Sequence, residues 1–376
     1  RERLAERVRR HLRADVPVGL MLSGGMDSSS VLMLARQALG PDAPIHTFSY
    51  RGSDGAADEG RFQAAAREAA GAIAHDVRIA PEEWSRDLAA LIRAQGEPFA
   101  SPVVYAQRRL FQAASAEGVK VVLDGQGSDE ILAGYGYFSS GRVASLLRAG
   151  RLVAAGRVLA AHTATGDAWR TTLRGAVGLA WPVVRSLAGS APQHGLADPA
   201  WLAARDASPP PPWTAEGPEV LRAMLARAVH APSIPWLMRY ADRNAMAFSI
   251  ENRVPFLDRP FVDWVLGLPE AHFIRDDGRG KAILRAAMRG LVPDVVIDRT
   301  DKVGFDVPVE TWVQRTPGLR DLLAEGAALP PIHQPSARHL LASIGRGDTL
   351  TRAQAFGAWR LVTLASWQRE FRVTFD

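Results

Sequence analysis

The stretch with the most chemistry in it is Val18-Gly19-Leu20-Met21-Leu22-Ser23-Gly24-Gly25-Met26-Asp27-Ser28-Ser29. A short apolar run enters a glycine turn that opens a helix. Successive backbone N–H groups, the helix N-terminus and the Ser23 and Ser28 hydroxyls then make a concave donor site for phosphate or pyrophosphate. Asp27, beside it, is placed to hold Mg²⁺, a hard cation that takes oxygen ligands. The spacing is not that of a Walker loop, because no Gly and Gly-Lys-Ser/Thr stand four residues apart. The alternative, a plain Gly-Gly turn with Asp27 as a first-turn helix charge, leaves the strand before it and the Ser28-Ser29 pair after it unexplained.

A second acidic segment, Asp124-Gly125-Gln126-Gly127-Ser128-Asp129-Glu130, follows the apolar Val121 to Leu123. If that run is a strand beside the first, Asp129 comes near Asp27, and two carboxylates suit one Mg²⁺–pyrophosphate; helix-start charge is the alternative reading. Only three of the 45 basic residues are Lys: Lys120, Lys281 and Lys302. Where Arg supplies nearly every positive charge, Lys302 points to a need for a compact ammonium that reaches between phosphate oxygens, with a plain surface Lys as the alternative reading. Lys281 precedes a helical Ala282-Ile283-Leu284-Arg285 run and reads as structural. Asp242, Arg243, Glu251 and Arg253 are four charges in a segment that otherwise reads as buried helix and turn, so they face either a ligand or one another in a salt-bridge network.

These groups need elements to carry them. Val16 to Leu22, Ile45 to Tyr50, Asp76 to Ile79 and Val121 to Leu123 read as strands. Between them, Ser28 to Leu39, Asp58 to Ala70, a segment opened by Pro81, and Tyr105 to Glu117 carry helical spacing. Strands alternating with helices imply an α/β fold with a doubly wound parallel sheet, whose ligands sit at the carboxyl ends of the strands. Residues 1–140 form this unit. From 141 to 376 the pattern is mainly helical without strand signals, with residues 190–213, including Ser208 and Pro209 to Pro212, as an exposed connection.

The loop Ser23-Gly24-Gly25-Met26-Asp27-Ser28 resembles the pyrophosphate loop of the N-type ATP pyrophosphatases, which split ATP into AMP and pyrophosphate. Three further segments resemble the synthetase domain of glutamine-dependent asparagine synthetases. They are Gly125 to Glu130 with Ala133-Gly134-Tyr135, Asp242 to Met246 running through Ser249 to Asp258, and Arg299-Thr300-Asp301-Lys302-Val303-Gly304-Phe305. The likeness runs from the first residues to at least Trp312. It implies ATP and Mg²⁺ as cofactors, adenosine against the backbone at Leu22, Tyr50, Asp124 and Gly125, pyrophosphate on Ser23, Gly24, Gly25, Asp27 and Ser28, and a place for Ser101 near the acyl-substrate pocket. It also implies the reaction: a carboxylate becomes acyl-AMP and an amine displaces AMP, by default aspartate and ammonia.

At two points the chain departs from that pattern. The family's complete enzymes carry an N-terminal glutaminase domain with a Cys nucleophile, and this chain has no Cys. Ammonia is therefore expected from a missing domain or a partner, and a first residue other than Met suggests numbering that starts inside a longer polypeptide. Gln126 stands where the best-known asparagine synthetases have Glu, and Gln cannot accept a proton. That leaves open a relative that amidates or cyclises a peptide or secondary metabolite, as lasso-peptide cyclases and β-lactam synthetases do. A tRNA-modifying ATP pyrophosphatase and a non-catalytic scaffold are the readings from other classes.

The 376 residues allow two domains at roughly 100–200 residues each. The longest uncharged runs, Ser186 to Ala197 and Gly326 to Ala337, fall short of the roughly 18 residues a bilayer needs. With no signal-peptide pattern in Arg1 to Arg13, a cytoplasmic location is expected. The absence of Cys removes disulfides, thiolate metal sites and thiol nucleophiles. The Arg bias accounts for a pI near 9.9 without a nucleic-acid partner, and a homo-oligomer stays open.

Overall fold

The structure, a computed structural model, describes residues 1–52, 59–80, 82–161, 168–181, 195–207, 213–231, 233–299, 307, 309–316 and 319–375. Five strands, β1 (Val18–Met21), β2 (His46–Tyr50), β3 (Ile73–Val77), β4 (Val121–Leu123) and β5 (Glu251–Arg253), form one sheet in the order β3-β2-β1-β4-β5. All four pairings are parallel. The apolar runs of β1 and β4 read as they do because helices cover both faces of the sheet. Gly19 lets β1 sit tightly there: a Cβ would come 2.8 Å from the Phe48 ring and 3.2 Å from Val119.

The chain leaves β1 in one direction, through β2 to β3, and later fills the other side with β4 and β5. The switch point therefore lies between β1 and β4, the crevice where doubly wound sheets bind ligands. The register, with Leu20 opposite Leu123, brings the loops after both strands to the same edge. This is the doubly wound α/β fold the sequence implies. Helices α1 (Glu2–His11), α2 (Met26–Leu39), α3 (Gly60–Ala70), α4 (Glu83–Gln95) and α5 (Val103–Ala116) flank the sheet.

The strand at Glu251–Arg253 corrects the expectation of no strand between residues 141 and 376. Three residues are too short for a periodic signal, and the strand exists because its backbone pairs with β4, Val121 opposite Glu251 and Leu123 opposite Arg253. β3 likewise begins three residues before the expected Asp76. Residues 53–58, Pro81 and Ser208 to Pro212 lie outside the described residues.

Among the described residues four apolar clusters are buried, and the two largest hold the sheet and its helices. One joins Leu20, Leu22 and Leu123 of the sheet to α1, α2 and residues between Phe256 and Ile297. The other buries Trp84, Tyr105, Trp312 and Trp359 between α4, α5 and the C-terminal helices, where the Trp84 indole N–H donates to Thr316 Oγ1 at 2.9 Å. The last helix, Arg352–Phe371, starts with a capping box in which Thr351 and Gln354 satisfy each other's backbone donors. The site is thus built on elements fixed from both faces.

Candidate active site

The first half of the site is the turn between β1 and α2. Leu22 is pinned across to β2: its N–H donates to Phe48 O at 2.9 Å and its carbonyl accepts from Ser49 Oγ at 2.5 Å. Gly24 has φ +79°, and a Cβ there would also press on Gln63 N at 3.0 Å and Phe62 Cβ at 3.1 Å, so only glycine fits. The Ser23 hydroxyl accepts from Gly25 N at 3.2 Å and lies 3.1 Å from Ser28 Oγ, which in turn accepts from Ser23 N at 3.2 Å. Gly25 caps α2 without a side chain. The first-turn N–H groups and the positive end of the helix dipole are therefore presented to the crevice, the arrangement that receives anions.

The second half follows β4. Gly125 touches the first turn of α2 so closely that a Cβ would lie 2.8 Å from Ser28 N and 3.0 Å from the Asp27 carbonyl carbon. The two loops can meet only because position 125 has no side chain. A short helix, α6 (Ser128–Ile131), follows, and Ser128 Oγ donates to Asp27 Oδ1 at 2.7 Å.

Between the loops lies the side chain that the sequence reading set aside. Lys281 Nζ is 2.5 Å from Asp27 Oδ2 and 2.6 Å from Asp129 Oδ1, with the lysine 5% exposed. Its backbone is in the left-handed region, φ +53°, just before helix Ala282–Met288, which turns the side chain under the loops. Gly134 makes room for it, since a Cβ there would run into Asp129 and Lys281. Two carboxylate oxygens that converge on one ammonium also suit Mg²⁺. Among the described residues no group of three or more acidic or His side chains could hold a metal by itself, which fits an ion that takes one or two carboxylates and completes its shell with phosphates and water.

In front of the loops opens a cavity of about 590 Å³, lined by Leu22, Ser23, Gly25, Asp27, Ser28, Tyr50, Asp124, Gly125, Gln126 and Asp129, together with Glu130, Gln107 and Tyr240. Gln63 of α3 ties its rim, donating to Tyr50 O at 3.2 Å. Burial raises the Glu130 carboxyl above its ordinary range, with Tyr135 Oη (2.8 Å) and Ser233 Oγ (3.1 Å) donating to it. Burial also pushes Asp124 up to about 7, against the pull of the Gln126 and Gly125 backbone N–H groups. A second cavity of about 250 Å³ lies on the other side of Asp27, with Arg279, Lys281, Arg285 and Arg299 in its wall. Arg299 pairs with Glu59 at 2.9 Å and donates to Gly24 O at 3.2 Å, so it braces the turn from behind.

The expected pyrophosphate, adenosine and metal residues thus come together, except that Gly24 shapes the loop without lining either cavity. Lys302 lies outside the described residues. Asp242 and Arg243 are exposed on helix Ser233–Met246, whose Leu237 and Tyr240 reach the cavity instead. Buried Asn244 on the same helix clamps α5, donating to Val104 O at 2.8 Å and Gln107 Oε1 at 3.1 Å. Glu251 and Arg253 pair with each other at 2.8 Å, and Arg253 also donates to the His11 and Arg13 carbonyls, which docks α1 on the sheet edge. Neither lines a cavity. Ser101 Oγ accepts from Val103 N at 3.3 Å at the start of α5, and it is Val103, Val104 and Gln107 of that helix that line the cavity.

Residues 1–369 match the family described as asparagine synthase. The chain is 27% identical over 359 residues to the glutamine-hydrolyzing asparagine synthetase 1 of Bacillus subtilis, covering 91% of this chain and 54% of that protein. It is 30% identical over 340 residues to a putative glutamine-hydrolyzing asparagine synthetase of Mycobacterium tuberculosis, covering 83% and 48%. Over a shorter stretch of 150 residues it is 33% identical to an amidase of Penicillium rubens, covering 37% and 22%. The chain spans about half the length of the first two.

Proposed function

The chain belongs to the asparagine synthase family, and from that premise we propose that it is the synthetase part of an ATP-dependent amide ligase. It activates a carboxylate, by default aspartate, as acyl-AMP with release of pyrophosphate, and then gives the acyl group to ammonia. The observation that carries this reading is the convergence, at the β1/β4 switch point, of an uncrowded helix N-terminus with two carboxylates gathered on one cation.

The residues divide the work. Leu22, Tyr50, Asp124 and Gly125 offer strand-end backbone to adenosine. The Ser23, Gly24, Gly25, Asp27 and Ser28 turn takes the β- and γ-phosphates on its N–H groups. Asp27 and Asp129 would hold Mg²⁺, which would supply positive charge to the phosphates. Lys281, and Lys302 on the sequence argument, bring ammonium groups to the oxygens on which charge develops. Gln126, in the cavity wall, positions the acyl group or the amine through its amide. Residues 1–140 supply the ATP unit and 141–376 complete the pocket. Ammonia reaches it from a glutaminase domain or a partner.

The test is carboxylate-dependent ATP–pyrophosphate exchange, screened across amino acids and candidate peptides. Exchange driven by aspartate supports the default. Exchange driven only by a peptide or secondary-metabolite acid moves the reading to macrolactam or amide formation on that substrate. Exchange with no acid ends it.

A further inference from the structure

The cavity wall carries a carboxyl that this chemistry leaves unused. Asp124 stands where β4 ends, its N–H donating to Arg253 O at 2.8 Å, and it is only 9% exposed while lining the 590 Å³ cavity. Two residues on, Gln126 lines the same cavity, and its Oε1 is buried with no hydrogen-bond partner. Among the described residues no charged side chain pairs with the Asp124 carboxyl, whose partners are the Gln126 and Gly125 backbone N–H groups. A buried acceptor without a donor costs free energy until a donor arrives. A carboxyl and an amide oxygen on one wall are matched by a small cation rich in N–H groups.

We propose that Asp124 takes the proton from the incoming ammonium in the amide-forming step, with Gln126 Oε1 as the second acceptor that holds the ammonium beside the acyl carbon. This rests on the adenylation reading given above. It answers the difficulty that Gln126 raises, because a carboxylamide cannot accept a proton and a carboxylate two residues earlier on the same wall can. The charged or titratable groups on the surrounding elements are Arg253 on β5, Asp27 on α2, Glu59 at the start of α3, Asp129 and Glu130 on α6, Tyr135 just after it, Tyr50 on β2 and Tyr240 on helix Ser233–Met246. Arg253 is committed to Glu251 and to the carbonyls of His11 and Arg13. Burial, not a neighbouring charge, raises the Asp124 carboxyl to the neutral range where a base works at cellular pH. In the step, ammonium gives one proton to Asp124. The freed lone pair forms the N–C bond, the C–O bond to AMP breaks with its electrons going to the AMP phosphate, and nitrogen's second proton leaves to solvent.

The test sets two amines on the same adenylate, with aspartate or the acid that drives exchange. Hydroxylamine is uncharged at neutral pH and attacks without first losing a proton, whereas ammonium must give one up. Ammonia-dependent amide formation by the wild type should pass through an ionisation at about 7 that hydroxamate formation lacks. Asp124→Asn should cut amide formation on the order of 10²-fold relative to hydroxamate formation and remove that ionisation. Equal losses with both amines, or no loss, would overturn the proposal, as would a wild type that makes hydroxamate but no amide from ammonia. If Asp124→Asn does not fold, the wild-type profiles decide: identical profiles for the two amines overturn it. Pyrophosphate exchange needs no amine, so its absence from the wild type counts against adenylation itself. Exchange with a failed amine comparison counts against Asp124 alone.

Discussion

The Lys281 ammonium sits 2.5 Å from the Asp27 carboxylate and reaches Asp129 at 2.6 Å, a cation lodged between the two carboxylates proposed to hold Mg²⁺. Two carboxylates brought this close inside a protein repel each other unless something positive lies between them. Lysine fills that role before metal arrives, and its flexible stem lets it move to a phosphate oxygen afterwards. Lys281→Met should therefore cost about 3 kcal/mol of stability without metal, as expected when one partner of a buried ion pair is removed. Mg²⁺ should restore more of that loss than it adds to the wild type. Urea unfolding with EDTA and with Mg²⁺ measures both, and equal Mg²⁺ effects in the two proteins would remove lysine from this role.

Gly125→Ala tests the contact between the loops. Its Cβ would meet Ser28 N and the Asp27 carbonyl carbon, backbone atoms that cannot swing aside. The β4 loop must retreat, at about 1–3 kcal/mol for overpacking, and Asp129 retreats with it. We expect loss of nucleotide binding by calorimetry in a protein that still shows the wild-type far-UV spectrum. Unchanged ATP affinity would mean that the loops do not act together.

Asp27→Ala should abolish pyrophosphate exchange and leave the fold intact by circular dichroism, because it removes the carboxylate proposed to hold the metal from a turn that otherwise works through backbone. Lys302→Arg should lower adenylation on the order of 10²-fold although the charge is kept, since a planar fork does not replace a compact ammonium between phosphate oxygens. Undiminished exchange in either variant removes that residue from the machinery.

The chain should form amide from ammonia and none from glutamine alone, since it holds no Cys to open glutamine. Mass spectrometry of the product with each nitrogen donor settles this, and glutamine-dependent amide from this chain by itself would contradict the argument.

The pairing of Asp27 with Asp129 was legible because each follows an apolar run, and the rules of doubly wound sheets bring such runs side by side. Lys281 was not, although one of three lysines among 45 basic residues carries the same signal that singled out Lys302. The apolar spacing after it suggested an ordinary helix start, and a positive φ at a non-glycine residue leaves no mark in a sequence. Asp242, Arg243, Glu251 and Arg253 were grouped by nearness along the chain. Asp242 and Arg243 are exposed on a helix, whereas Glu251 and Arg253, two apart on one face of a strand, pair with each other, so of the expected network only that couple forms, away from the cavity.

Asp124 makes a stability prediction apart from catalysis. Its folded pKa, about 7, lies above the ordinary aspartate value of 3.8, so the folded state holds the proton more tightly than the unfolded one. Stability therefore falls as pH rises from about 4 to about 7 and is flat above. Asp124→Asn removes that loss. Its stability relative to wild type should grow across this window by up to about 4 kcal/mol, from about 1.4 kcal/mol per pKa unit. Parallel pH curves for the two proteins would place the Asp124 carboxyl in water.

Gln126→Glu discriminates between the amines. With ammonia as the true substrate, a second carboxylate on the cavity wall attracts ammonium and can share its proton with Asp124, so amide formation at neutral pH should rise. With an amine carried by a peptide or larger molecule, the same change buries a charge where a neutral partner was needed, and amide formation should fall. The like charge also raises the Asp124 carboxyl further, so in the first case the rising limb of the pH profile should move to higher pH. The default predicts the rise. A fall in ammonia-dependent amidation with exchange unchanged would instead assign the site to a larger amine, because adenylation would be intact while the wall of the amine pocket had become wrong for its substrate.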